Sequence, residues 1–513
     1  MKARILGEAG GNPLALIELP RGLTPAELAG GFAVPDAQPG EAAGLVELGL
    51  RVRLTHPLVR SAVYGSAGPG ERREAHAALA DATDPARDPD RRAWHRAHAT
   101  AAPDEAVAAE LARSADRAQA RGGLAAAAAF LERAVVLTAD PARHSERTLA
   151  AAQANMQAGA FSKAQGLLVT AEAGPLDEFA SARVDLLRGQ IAFATGPSND
   201  APPLLLKAAK RLESLNLELA RETYLSAWAA ASFAGRLAGA GDMNEVARAA
   251  RALPPVYPPR PIDLLLDGLA LLLTDGRTAA APILRRAATV FAAGGVSRED
   301  GLRWGWMAAS LLWDDDAARK ITTRQVRLSR DAGALDELPL NLVSLAMSAV
   351  WSGDFATAAA LIAETDAIRE ITGSRLAPYA AMFLAALRGD QGEVIQLINA
   401  AIADAGAAGQ GAAVTSAHWA GAILYNGLGR YSEAFAAAKH ATEDAYLFVS
   451  MWALPELVEA AVRTGKTQVA TEALKLLAET TQSGGTEFGL GIEARSRALL
   501  GEGEHAELDP NRS

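Results

Sequence analysis

The stretch AMSAVWSGDFATAAALIAETDAI, residues 346–368, decides the fold of this chain. An apolar segment leads to a break at Gly353–Asp354, and an Ala-rich segment follows the aromatic residue Phe355. Apolar residues recur at three- and four-residue spacing on both sides of the break, as they do in amphipathic helices. Alanine at the contact positions lets neighbouring helices approach closely. The stretch therefore predicts two helices joined by a short turn.

This pattern repeats along the chain at a nearly constant interval. One break per repeat, 36 to 41 residues from the next, lies at Gly122, Gly159, Gly196, Gly235, Gly276, Asp315, Gly353, Gly389, Gly429, Gly465 and Gly501. A period this steady is typical of helix–turn–helix solenoids. The repeats resemble tetratricopeptide repeats (TPRs), although they are slightly longer than the usual ~34 residues. We predict an all-α fold, a TPR-like solenoid.

The composition excludes several classes of function. The chain has 513 residues, half of them hydrophobic, a net charge of −10 and no cysteine. Because an acidic chain neutralises few phosphates, we expect no direct DNA binding. Without cysteine there are no disulfides, thiol nucleophiles or thiolate metal sites. The sequence has no recognisable signal peptide and no run of about 18 apolar residues, so we expect a cytoplasmic protein without membrane association.

The start of the chain differs from the repeats. In the segment GGNPLALIELPRGLTPAELAGGF, residues 10–32, Asn12 can cap a helix that has Pro13 at its first position. Thr24 and Glu27 form a capping box for a second helix. These signals predict two short helices with well-marked starts.

A small mixed region follows these two helices. Residues 41–82 read as a helix, a short strand within GLRVRLT (49–55), a helix, a turn and a helix. We therefore predict a small N-terminal helical and winged-helix-like region, a helical joint and the solenoid, with bounds of 1–85, 86–121 and 122–513.

Several segments carry a family resemblance beyond their local physics. They include GNPLAL (11–16), ELPRGLTPAELAGGF (18–32), RVRLTHPLVRSAVY (51–64) and LYNGLGRY (424–431). With these segments the chain resembles the large ATP-binding LuxR-type transcription regulators, relatives of the maltose regulator and of STAND ATPases. The resemblance covers nearly the whole chain. It implies that residues 1–85 correspond to the ATPase lid and winged-helix region, and the repeats to the sensor region.

The same resemblance implies two nucleotide contacts. The Gly-x-Pro segment of the family sits beside the adenine, and Pro13 of Gly11-Asn12-Pro13 holds that position here. A histidine near the winged-helix strand approaches the phosphates in the family, and His56 matches it. Both residues are therefore candidate contacts of a vestigial nucleotide site.

The chain also departs from the family pattern. A P-loop needs a glycine five residues before Gly-Lys-Thr, but Gly465-Lys466-Thr467 is preceded there by Ala460 and lies at a repeat turn. We also find no C-terminal helix-turn-helix DNA reader. We therefore expect that ATP binding is lost, with no cofactor. Gly501 predicts the turn of an unfinished repeat, whose exposed face favours a frayed C-terminus or a homo-oligomer.

The histidines form no convincing metal site in the sequence. His95 and His98 are three residues apart, with His76 upstream, whereas helical zinc ligands prefer a spacing of four. We expect these residues to be interface or solvent-facing histidines, and we predict no metal. No Gly-x-Ser-x-Gly nucleophile elbow is present either, so we predict no catalytic residues.

A tryptophan cluster in GLRWGWMAASLLWDDD, residues 301–316, is the remaining candidate. On one helix, Leu302, Trp306, Ala309 and Trp313 would share a face, which favours packing between repeats. Trp304 would point elsewhere, so we predict that it lines a groove and binds a partner. The acidic run that follows Trp313 is expected to cap the next helix.

Together these patterns predict a non-enzymatic regulatory or sensor module of a LuxR-type transcription regulator. Its ligand would be a protein partner or a small effector on the concave face of the solenoid. Two alternatives remain: a solenoid repurposed for small-molecule binding or catalysis, and residual adenine-nucleotide binding through Pro13 and His56.

Overall fold

The computed structural model describes residues 46–48, 52–54, 64–196, 199–298, 301–389, 391–443 and 448–502. Strands β1 (Val46–Leu48) and β2 (Val52–Leu54) form an antiparallel hairpin. The other regular elements of these residues are helices packed in adjacent pairs, so the predicted all-α, solenoid-like class is confirmed. The helix predicted to begin at residue 41 is wrong at residues 46–48. A lone strand leaves its backbone groups unpaired, and β1 is the partner of β2.

The chain divides into two compact units. Unit 1 comprises residues 1–158 and 166–176, and unit 2 comprises residues 159–165 and 177–513. After the hairpin in chain order, the helices of unit 1 are α1 (Pro69–Ala82), α2 (Pro89–Ala99), α3 (Glu105–Ala120), α4 (Leu124–Val136), α5 (Pro141–Gln157) and the second part of α6 (Phe161–Glu172). Helices α3 and α4 pack together around the buried residues Leu111 and Phe130. The predicted domain boundary at residue 122 falls between these paired helices.

The helices of unit 2 follow one another in the same paired manner. They are α7 (Glu178–Thr195), α8 (Ala201–Leu212), α9 (Leu217–Ala234), α10 (Met243–Arg251), α11 (Pro261–Thr274), α12 (Arg277–Ala292), α13 (Trp306–Leu311), α14 (Asp315–Ala332), α15 (Leu338–Trp351), α16 (Phe355–Thr372), α17 (Tyr379–Arg388), α18 (Gln391–Ala407), α19 (Gly411–Gly427), α20 (Tyr431–Ala441), α21 (Phe448–Trp452), α22 (Leu454–Arg463), α23 (Thr467–Gly484) and α24 (Glu487–Glu502). None of the helices in the described ranges is both long and apolar enough to cross a bilayer.

Seven of the eleven predicted breaks are turns inside helix pairs. A left-handed backbone with φ of 69° to 87° is found at Gly122, Gly159, Gly276, Gly353, Gly389, Gly429 and Gly465. Glycine adopts this conformation without the steric cost that a side chain adds, which explains why it marks these turns. The prediction for Gly501 is wrong, because α24 continues through this residue to Glu502.

Unit 2 also has contacts that no local pattern predicted. In an open solenoid each repeat touches only its neighbours. Here the Arg375 backbone N–H donates to the Thr195 carbonyl at 2.6 Å, and the Trp313 indole N–H donates to Thr480 Oγ1 at 3.1 Å. Side-chain hydrogen bonds of this kind join residues 167 to 198 positions apart. Unit 2 therefore winds into a superhelical turn whose successive windings touch.

Two glycines allow these windings to approach at backbone distance. A Cβ added to Gly411, at the start of α19, would lie 2.2 Å from the Ala234 carbonyl oxygen. A Cβ on Gly484, at the end of α23, would lie 2.1 Å from the Leu312 carbonyl oxygen. Both distances are impossible for a real side chain, so glycine is required for the contact between windings.

Candidate functional site

The interior of the superhelical turn in unit 2 holds a cavity of about 340 Å³. Its wall extends from Ser232 at the end of α9 to Arg495 in α24. Most of the lining comes from the first helices of successive pairs, namely α13, α15, α17, α19, α22 and α24. The cavity thus collects side chains from segments that are more than two hundred residues apart in the sequence.

Aromatic side chains dominate one wall of the cavity. Trp351 and Trp419 stack with ring centroids 5.2 Å apart and an interplanar angle of 20°. Phe383 meets Trp419 edge-on at 4.5 Å, and Trp452 lies 6.1 Å from Trp419. Trp351 is 41% exposed, an unusual value for so large an apolar side chain. The wall therefore presents flat, polarisable faces to whatever enters the cavity.

Four further aromatic residues belong to the lining. Trp313 lies 6.4 Å from Phe488, and Phe233 meets the ring of Tyr379 edge-on at 6.2 Å. All four residues line the cavity, and Trp313 and Phe488 come from the two turns that touch between windings. We call the contact of the turn at Trp313 with the turn between α23 and α24 the closure contact, and Trp313 and Phe488 line the cavity beside it.

Three polar atoms of the lining have no hydrogen-bond partner among the described residues. They are the hydroxyl of Tyr379, the indole N–H of Trp419 and the hydroxyl of Ser348. Tyr379 is 6% exposed and Trp419 is 4% exposed. A buried polar group without a partner costs on the order of 1–3 kcal/mol, and because these three atoms are shielded from solvent, an occupant can pair with them only after the side chains shift.

The charged groups of the lining are mostly acidic. They are Asp314, Asp315, Glu456 and Arg495. Arg495 is already paired with Glu459 at 2.5 Å, and Asp314 caps α14 by accepting from the Ala317 N–H at 3.0 Å. The expected cap by the acidic run is therefore confirmed.

Two of these carboxyl groups have raised pKa values. Burial raises the pKa of Glu456, although the amide of Asn426 donates to its Oε2 at 2.8 Å. Burial also raises the pKa of Asp315, and the neighbouring carboxylates of Asp314 and Asp316 add to the effect. Burial is the largest cause of both shifts, because it disfavours the charged form of a carboxyl group.

Of the predicted site residues, only Trp304 lies within the described ranges; Pro13 and His56 lie outside them. Trp304 is 3% exposed, its ring meets Phe193 at 5.7 Å, and the guanidinium of Arg303 lies over it at 4.7 Å. It belongs to a short 3-10 helix, Leu302–Trp304, in the core of the unit. Its side chain lines a second cavity of only about 10 Å³, with Phe193 and Asp336, and is not among those that line the aromatic cavity, so its predicted partner binding stays a prediction.

The other tryptophans of this stretch also differ from the prediction. The single helix expected across 302–313 is broken, because α13 covers only Trp306–Leu311. An added Cβ on Gly305 would lie 2.6 Å from the ring of Phe291, so the chain passes close to α12 before α13 begins. Trp313 then turns the chain with a left-handed φ of 57°. As a result Trp306 and Trp313 line the cavity instead of packing only between repeats.

The aromatic residues of the main wall are not among those predicted from the sequence. Trp351, Phe383, Trp419 and Trp452 recur at intervals close to the repeat length, and each lies in or just before the first helix of a pair. A solenoid directs equivalent positions of its repeats to the same side. The recurrence at about the repeat length could have indicated a shared wall, because aromatic residues that only fill gaps between helices need not recur at a constant interval.

The histidines of unit 1 form a cluster of their own. His76 and His95 share a hydrogen bond of 2.9 Å between their Nδ1 atoms, and His98 stacks on His76 with centroids 5.0 Å apart. Burial lowers the pKa of both His95 and His98 to about 4. They are half-buried rather than solvent-facing, and in the described ranges no group of three or more His, Cys, Asp or Glu could hold a metal ion.

The Gly465-Lys466-Thr467 segment is a repeat turn, as expected. Gly465 has a φ of 69°, α23 begins at Thr467, and the ammonium of Lys466 lies 4.3 Å from the ring centroid of Phe435.

Comparisons with known proteins add no family assignment. No protein-family model matches the chain, and no curated protein matches it either. The resemblance to LuxR-type regulators therefore depends on the residues quoted above.

Proposed function

We propose that unit 2 is a non-enzymatic sensor module that binds a small effector in the aromatic cavity. The observation that carries the proposal is the cavity itself, with a volume of about 340 Å³ and a lining of tryptophan, phenylalanine and tyrosine. Small-molecule sites are mostly apolar, of roughly 300–1,000 Å³, with a few converging polar groups. This size favours a small effector over a folded protein partner.

The position of the cavity gives binding a structural consequence. Trp313 and Phe488 belong both to the lining and to the closure contact between windings. An effector that contacts them binds the closed arrangement with a different free energy than an open one, and so shifts the balance between the two. The resemblance to LuxR-type regulators supports a role in transcription regulation, since the sensor region of that family couples effector binding to a switch.

The proposal is tested with a library of small cationic, anionic and neutral compounds. The midpoint of thermal unfolding and the tryptophan fluorescence of the full chain are measured for each compound. We expect at least one compound to raise the midpoint with a saturable dose response. Trp351→Ala should weaken this response at least tenfold, because it removes one face of the stacked pair.

Tyr257→Ala is the matched control. Tyr257 is 83% exposed and lies outside the cavity lining, so its removal should leave the response unchanged. If no compound shifts the midpoint, or if Trp351→Ala responds like the wild type, the proposed function is wrong.

A further inference from the structure

We infer that the ligand of this cavity is an organic cation with a flat apolar body, an inference that rests on the proposed function. Two independent features of the lining point to this class. The first is the aromatic wall of Trp351, Trp419, Trp452 and Phe383. The second is the excess of carboxylates over cations around it.

The aromatic wall favours a positive charge as well as an apolar body. The face of an indole ring carries negative electrostatic potential, and a cation within about 6 Å of the ring centre is attracted to it. Trp351 offers its partly exposed face, and Trp419 stacks behind it at 5.2 Å. Such walls hold ammonium groups that have lost most of their water.

The carboxylates of the lining favour a positive charge on the ligand. Glu456 lies in the lining beside Pro455 and near Trp452, and it accepts from Asn426 through Oε2. Within the described part of the chain no donor reaches its Oε1. The one guanidinium of the lining, Arg495, is held by Glu459. Arg495 also acts on Glu456 and compensates part of its charge, but the lining holds three carboxylates against this one guanidinium, so it favours a cation over an anion.

The polar groups of the lining limit the rest of the ligand. The lining contains five serines and Thr322, but hydroxyls such as those of Ser232, Ser344 and Thr322 already donate to carbonyl groups of their own helices, so few donors remain for a ligand. A sugar, with a hydroxyl on most of its carbons, would leave many of its own polar groups unpaired here. A flat apolar body with one or two hydrogen-bonding atoms fits the lining better.

The test uses three probes that share a naphthylmethyl body and carry a cationic, a neutral or an anionic head group. They are (2-naphthylmethyl)trimethylammonium, its uncharged carbon isostere 2-neopentylnaphthalene, and 2-naphthylmethanesulfonate. Binding to the full chain is measured by titration of the tryptophan fluorescence. We expect the cation to bind about tenfold more tightly than the neutral isostere, and the sulfonate to bind most weakly.

Glu456→Gln keeps the shape of the side chain and removes its charge. We expect it to weaken binding of the cation about tenfold and to leave the neutral isostere unchanged. Glu472→Gln is the control, because Glu472 is an exposed carboxylate of α23 outside the lining. It should change neither affinity.

The outcomes separate the inference from the proposed function. If the neutral isostere or the sulfonate binds as tightly as the cation, or if Glu456→Gln leaves the affinity for the cation unchanged, the cavity is a binding site but the cation inference is wrong. If none of the three probes binds, the cation inference is wrong, while the proposed function is still decided by the compound library and Trp351→Ala.

Discussion

Asp336 is a carboxyl group with almost no access to water. Its side chain is 5% exposed, its Oδ1 has no hydrogen-bond partner among the described residues, and the guanidinium of Arg303 is 3.9 Å from its Oδ2. Burial and the neighbouring carboxylate of Glu337 raise the pKa of Asp336 to about 7. Between pH 4 and 7 the folded chain therefore holds a proton that the unfolded chain releases. Asp336 lowers stability as the pH rises through this window.

We expect Asp336→Asn to stabilise the protein at pH 8 and to have little effect at pH 5. At pH 8 the substitution removes a buried charge, while at pH 5 it replaces a carboxyl group that is already neutral. The measurement is the midpoint of thermal unfolding at both pH values. Asp331→Asn, at an exposed position of α14, is the control. Equal shifts at the two pH values would contradict the raised pKa.

The histidine cluster of unit 1 has the opposite pH dependence. Burial, and then the positive charge of Arg133, lowers the pKa of His98 to about 4. The folded state keeps this imidazole neutral where the unfolded state, with a pKa near 6.5, binds a proton. The contribution of His98 to stability is therefore complete above about pH 6.5 and is lost as the pH falls towards 4.

We expect His98→Gln to flatten the pH dependence of unit 1. The measurement is amide hydrogen exchange of α1 to α4 between pH 4.5 and 7, corrected for the intrinsic exchange rate. In the wild type, protection should decrease as the pH is lowered from 7 to 4.5, and in His98→Gln it should decrease less steeply. His144→Gln, in α5, should retain the slope of the wild type; if His98→Gln retains it too, the cluster does not control the pH dependence.

At the scale of elements, the closure contact depends on two turns. Trp313 holds a left-handed φ of 57°, which is uncommon for a bulky residue and costs on the order of 1–3 kcal/mol. Its indole N–H donates to Thr480 Oγ1 at 3.1 Å, and the Thr486 hydroxyl donates to its carbonyl at 2.7 Å. These bonds offset the backbone cost and fix the turn between α13 and α14 against the turn between α23 and α24.

We expect Thr480→Val to destabilise unit 2 by about 1–3 kcal/mol, because the buried indole N–H of Trp313 loses its acceptor while the volume is kept. Urea denaturation of the full chain measures the change. Thr471→Val, an exposed position of the same helix, is the control and should cost far less. If the two variants are equally stable, the hydrogen bond does not support the closure.

Helix pairs could be predicted from the sequence, but contacts between windings could not. The breaks such as Gly353 and Gly429 carry a local signal, because a left-handed turn favours glycine at that one position. Glycine is required at positions 411 and 484 because carbonyl groups about 175 residues away in the sequence approach them closely. The residues next to these glycines in the sequence do not indicate those partners. The same limit applies to the site. Trp304 lies in the core and Trp351 lines the cavity, and this difference depends on the three-dimensional path of the chain, which their local sequences do not reveal.

At the scale of the whole of unit 2, the contacts between windings should make unfolding more cooperative than in an open solenoid. A substitution at one contact then affects both segments that meet there, although they are distant in sequence. The glycines of α19 provide a matched pair for this test. Gly411 faces the Ala234 carbonyl, whereas an added Cβ on Gly427 would meet nothing within 4 Å.

We expect Gly411→Ala to lower the midpoint of thermal unfolding and to increase hydrogen exchange both in α19 and at the end of α9. Gly427→Ala should be neutral or slightly stabilising, since alanine is favoured over glycine in a helix. Loss of protection confined to α19 in Gly411→Ala would show that the windings unfold independently.

The contacts between windings also restrict how this protein can change in evolution. Open solenoids gain and lose repeats by duplication and deletion, because each added pair needs only to match its neighbours. In unit 2 an inserted pair would displace every later residue by one repeat. Gly411 would no longer face Ala234, and Gly484 would no longer face Leu312. The number of repeats per winding is therefore fixed by partners one winding away, and such chains should diverge by substitution while keeping their length.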